Sequence, residues 1–136
     1  MRKLIVLTTG AALAGCTTAP PPQDSRAAAQ QQLAQLLAGK VAGAPVECIP
    51  NYHASSPSVI TPTAIAFQAT PGRIYVSNTV GSGCEGIGGP AYSLATTQHG
   101  SSTLCAGDLV QIRDLQAGTM AGSCSLTQLV PYTSAR

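Results

Sequence analysis

The chain contains no tryptophan and a single phenylalanine, and only 9 % of its 136 residues are charged. So few aromatics leave no set of stacking platforms for single-stranded nucleic acid, and no basic run supplies the electrostatic footprint of a duplex binder. No apolar run approaches the roughly 20 residues that a membrane-spanning helix requires. The cysteines lack C-x-x-C spacing and the histidines lack H-E-x-x-H spacing, so no metal site and no cofactor is expected. No G-x-S-x-G elbow places a serine on a strained turn. A core built from this composition rests on valine, isoleucine, leucine and the four tyrosines.

Five cysteines are present, an odd number. Cys16 stands apart from the rest by position. It closes "MRKLIVLTTGAALAGC", in which Arg2 and Lys3 precede an apolar run and small residues at Ala14 and Gly15. That is the layout of a secretory signal peptide. Its last four residues, "LAGC", resemble the lipobox of bacterial lipoproteins, whose cysteine is acylated on sulfur and becomes the mature N-terminus after cleavage. The resemblance implies that residues 1–15 are removed and that Cys16 is the lipidation site. Several acyl chains, each buried methylene worth about 0.8 kcal/mol, would hold the protein on a membrane surface. Thr17, where an aspartate would signal retention at the inner membrane, implies the outer membrane. The alternative is a plain signal peptide cut near Ala14.

Loss of residues 1–15 removes Arg2 and Lys3. Arg26, Lys40, Arg73, Arg113 and Arg136 then face Asp24, Glu47, Glu85, Asp108 and Asp114, five of each sign. The remaining cysteines, Cys48, Cys84, Cys105 and Cys124, are even in number in an exported chain, and two disulfides follow. Three connectivities are open to four cysteines. Cys48 with Cys105 and Cys84 with Cys124 is preferred, because these crossed loops jointly tie the whole domain and longer loops remove more unfolded-state entropy.

Residues 16–24 form a polar linker in which Pro20, Pro21 and Pro22 favour an extended segment. Residues 25–39 read as a helix dominated by alanine, glutamine and leucine, with Ser25 able to cap its start and Gly39 to end it. Leu33, Leu36 and Leu37 share one face, a stripe too short to stand alone in water; the helix docks on its own domain or frays, and a partner-binding helix is the sharper alternative. Residues 41–136 read as the disulfide-stabilised domain. "AIAFQ" and "RIYVSN" flank the turn "ATPG" as a hairpin, with Ile74 and Val76 alternating with Arg73, Tyr75 and Ser77 as on a strand with one buried face. "AYSLATT", "DLVQIRD" and "SLTQLVPY" supply three more strands, separated by glycine-rich turns such as "GIGGP" and "QAGTMAGS". The fold expected is mainly β: a small antiparallel β sandwich or barrel with two disulfides, preceded by a short N-terminal helix.

Three patterns invite a chemical reading. "GSGCEG" at residues 81–86 matches a dinucleotide-binding glycine pattern, but "IGGP" follows where that fold needs a helix, so the expectation is a loop that lets Cys84 reach its partner. His53 and His99, each beside serines, and Asp108 and Asp114 supply triad ingredients without triad context; loop and turn roles are expected. Glu47 and Glu85 would form a carboxylate pair only if the fold joined them. Asp108, in "LCAGDLV", is expected to accept backbone hydrogen bonds at a turn.

"ECI" at residues 47–49, "RIYV" at 73–76, "LCAGDLV" at 104–110 and the closing "LVPYTSAR" resemble small alphaproteobacterial lipoproteins of sphingomonad type that carry a cysteine-containing domain of unknown function. The resemblance implies an envelope address and an architecture, and brings no catalytic residues. The functional expectation is a non-catalytic lipoprotein on the periplasmic side of the outer membrane, bound to the membrane through its lipid anchor and serving as an accessory or binding module for an envelope protein partner. The alternative is a small inhibitor of a wall-degrading hydrolase such as lysozyme, with the loop around Cys84 entering a cleft. An enzyme would require serine, histidine and aspartate to converge.

Overall fold

"ATPG" does close a hairpin: in the computed structural model, which describes residues 23–50, 52, 58–81, 83–84, 87–97 and 103–135, β4 (Ala64–Thr70) turns at Gly72 into β5 (Arg73–Val80). Gly72 sits at φ +80°, a conformation that costs glycine little and any side chain more. The other strands are β1 (Lys40–Ala42), β2 (Cys48–Ile49), β3 (Ser58–Ile60), β6 (Tyr92–Thr96), β7 (Leu104–Cys105), β8 (Leu109–Asp114) and β9 (Met120–Ser134), and the helix α1 covers Gln23–Leu37. The protein is mainly β, as expected.

The main sheet runs β3-β4-β5-β9-β8-β6, every pairing antiparallel, and it curls until its two outer strands approach each other. At that seam Gly89 N–H donates to the Ile60 carbonyl at 3.1 Å. Gly88 lies against the Ile60 and Thr61 backbone, where a Cβ would crowd it at 3.0–3.2 Å. The result is a nearly closed barrel. β9 is its spine: β5 pairs along one edge, while β8, the Val46 bridge and β1 follow one another along the other. β2 and β7 form a separate two-stranded ribbon that sends Ile49 and Leu104 into the barrel core beside Phe67, Ile65 and Leu129.

Strand register sorts the side chains into layers. Ile60, Ile65, Ser77 and Leu129 lie abreast facing inward, next to Phe67 and Tyr75. Val59, Ala66, Ile74, Val76 and Tyr132 face outward, and Leu33, Leu36 and Leu37 of α1 pack on them. The expectation for β5 is therefore corrected. Ile74 and Val76 do share a face, but Tyr75 and Ser77 are buried too, because the helix covers the outside of the strand while the barrel encloses the inside. Gly39, at φ +70°, ends the helix as expected. Ser25 lies within α1 and not ahead of it, since the helix already includes Gln23.

A second correction concerns "QAGTMAGS", expected as a turn. Its second half, from Met120, is already β9. Gly122 sits in the strand because the Cys84 loop crosses it closely: a Cβ there would overlap the Gly83 carbonyl, and a Cβ at Gly83 would overlap the Ser123 carbonyl. Among the described residues, no helix is long and apolar enough to cross a membrane.

Candidate functional site

Both disulfides join the preferred partners, Cys48 with Cys105 and Cys84 with Cys124, at sequence separations of 57 and 40. Their settings differ. Cys84 and Cys124 are 2 % and 3 % exposed and belong to the barrel core. Cys48 and Cys105 face each other across the β2–β7 ribbon, Cys48 exposed and Cys105 half-buried.

Asp108 closes the turn after β7. Its Oδ2 accepts the Cys105 N–H at 2.7 Å, and its own N–H donates to the Cys105 carbonyl at 3.1 Å, with Gly107 at φ +86° between them. This is the turn role expected of it. Asp114 does the same work between β8 and β9, where Oδ1 accepts the Gln116 and Ala117 N–H groups at 2.8 and 3.0 Å. Glu47 Oε1 accepts from Gln128 Nε2 at 2.6 Å. Cys16, His53, Glu85 and His99 lie outside the described residues, so the triad ingredients, the Glu47–Glu85 pair and the lipidation site have no geometry to set beside these contacts. Of "GSGCEG", Gly81, Gly83 and Cys84 are described, and they lead the chain onto β9 to meet Cys124.

Ser77 is a polar residue that sequence reasoning missed. β9 carries an extra residue at Thr127–Gln128, where the register against β5 shifts. The hydroxyl of fully buried Ser77 lies 3.0 Å from the Thr127 carbonyl and 2.9 Å from that of Asn78, so its one hydrogen can go to either; Thr127 Oγ1 also donates to the Asn78 carbonyl at 3.1 Å. Its position on an apparently exposed alternation gave no signal.

A shallow groove of about 410 Å³ opens between the end of α1 and the β4–β5 turn. Leu36, Ala69, Pro71 and Ile74 form its apolar wall, and Lys40 and Gln68 its polar one. Gly39, at φ +70°, turns the chain out of the helix into β1, whose first residue is Lys40. No group of three or more histidine, cysteine, aspartate or glutamate residues able to hold a metal ion occurs among the described residues.

Fold and contacts together define a helix-backed, disulfide-clamped, nearly closed antiparallel β barrel. No protein-family model, curated protein or solved structure matches the chain.

Proposed function

We propose that the protein is a lipid-tethered, non-catalytic binding module of the bacterial cell envelope, held by acylated Cys16 on the periplasmic face of the outer membrane and presenting the barrel to an envelope protein partner. The observation that carries this reading is the pair of disulfides built into the fold. Such bridges form and persist in an oxidising compartment, which agrees with export through the apolar leader. Two further features support it. The leucine stripe of α1 is used internally against the barrel, so the helix serves as a fixed link between the linker and the domain. Asp108, Asp114, Glu47 and Ser77 all hold turns, loops or the bulge in place, as the residues of a scaffold do.

The test is Cys16→Ser expressed in a Gram-negative host. The wild-type protein is expected in the detergent-soluble outer-membrane fraction with a diacylglyceryl adduct on Cys16, and the variant without the adduct. A variant acylated like the wild type removes the anchor from this proposal. For the non-catalytic part, a hydrolase screen on periplasmic substrates is run on the wild type, His53→Ala and His99→Ala; turnover abolished by either substitution overturns it.

A further inference from the structure

We propose that Cys48–Cys105 is an exchangeable latch, a site at which an external dithiol, such as a protein with a C-x-x-C pair, reduces the disulfide and loosens the Ile49–Leu104 end of the β2–β7 ribbon. Three observations converge on it. The first is access: Cys48 is exposed, whereas Cys84–Cys124 lies in the core beneath the Gly83–Gly122 crossing. A folded barrel offers an attacking thiolate only one of its two disulfides.

The second is a stabilised leaving group. Thr103 Oγ1 lies 3.9 Å from Cys105 Sγ, within reach of a long hydroxyl-to-sulfur contact in which the disulfide sulfur can only accept. A hydroxyl placed to donate to the departing sulfur favours its thiolate and so attack at Cys48, the more exposed residue of the two. The incoming thiolate forms a mixed disulfide with Cys48 as the Cys48–Cys105 bond breaks, and Cys105 leaves with the electron pair. The second thiol of the reductant, deprotonated, then displaces Cys48. The protein gains two electrons and, on protonation, two thiols; the dithiol becomes a disulfide.

The third is what the bond holds. Each ribbon strand is two residues long, and the pair Ile49 and Leu104, both 0 % exposed, inserts into the core directly beside the cysteines. Ala106 N–H to the Glu47 carbonyl, Gly107 N–H to the Leu126 carbonyl and the Val46–Leu129 bridge hold the base of the ribbon to β9, so the disulfide clamps its other end, where Ile49 and Leu104 pair. Reduction loosens an apolar plug while the β4–β5–β9 wall keeps its own pairing.

The test treats the folded full-length protein with dithiothreitol without denaturant, quenches samples with iodoacetamide over time, and locates the adducts by peptide mass. Cys48 and Cys105 are expected to be alkylated at least about 100-fold faster than Cys84 and Cys124. Equal rates would mean that both bonds open only through global unfolding and would overturn the proposal. Glutathione used as a monothiol probe is expected on Cys48; a majority on Cys105 would reverse the assigned direction of attack. Thr103→Val should slow reduction of this bond about fivefold and leave the other unchanged, and an unchanged rate would remove Thr103 from the mechanism. After selective reduction, hydrogen exchange at the Ile49 and Leu104 amides should accelerate while β4, β5 and β9 stay protected. Unchanged protection at Ile49 and Leu104 would overturn the latch.

Discussion

At the scale of single residues, buried or turn-bound polar groups decide where the barrel can bend. Ser77→Ala removes a buried hydroxyl that faces the part-buried Thr127 and Asn78 carbonyls, a loss of about 0.5–1.5 kcal/mol that should appear as a lower denaturation midpoint in urea. Asp108→Ala should cost about 1 kcal/mol, with Asp108→Asn recovering part of it because the amide oxygen can still accept the Cys105 N–H. Tyr52, edge-on to Phe67 at 5.6 Å, has its hydroxyl pushed above the ordinary 10.0 by burial. The folded state therefore holds that proton more tightly than the unfolded chain. The associated stability is complete below about pH 10 and is lost as pH rises through the higher folded value. Tyr52→Phe keeps the ring and removes the ionisation, so its stability should fall less steeply than that of the wild type in a titration above pH 10. Asp108 was legible in the sequence because an aspartate after Ala-Gly has a local partner within reach. Ser77 was not, since what makes its hydroxyl necessary is a bulge about fifty residues away in β9.

At the scale of elements, the hairpin and the helix were legible because their signals are local: a Pro-Gly turn between alternating segments, and a helix-forming stretch closed by Gly39. The full extent of β9 was not. Gly122 in a strand looks like a turn residue until the loop that crosses it is known. Gly122→Ala should therefore be costly beyond its propensity: the new methyl meets the Gly83 carbonyl, and either the loop lifts or β9 shifts. A loss of about 1–3 kcal/mol is expected, together with slower closure of Cys84–Cys124 in oxidative refolding. A neutral Gly122→Ala, measured by thermal unfolding, would contradict the close crossing. The two-residue strands β2 and β7 were equally hidden, because elements that short have no periodicity to read; the disulfide between them, and not a sequence pattern, brings them together.

For the whole molecule, the disulfide framework underlies both the architecture and the proposal of export. The pairing preferred from loop entropy is the one found, and the fold shows a reason beyond entropy: one bridge pins the loop that crosses β9, the other pins the ribbon whose side chains plug the core. Closing loops of 57 and 40 residues removes unfolded-state entropy worth about 4 kcal/mol each in the chain-entropy account. A core with one phenylalanine and no tryptophan depends on that contribution. The groove beside Lys40 could not be foreseen, since it arises where α1, β1 and the β4–β5 turn meet. The central claim is an exported, lipid-tethered barrel closed by two disulfides, and intact mass analysis of the protein isolated from envelopes without reductant tests it most directly. The expected species begins at Cys16, carries a diacylglyceryl group there, lacks the hydrogens of two disulfides and takes up no thiol label before reduction. A chain that retains residues 1–15, or one in which Cys48, Cys84, Cys105 or Cys124 is labelled stoichiometrically, would contradict it.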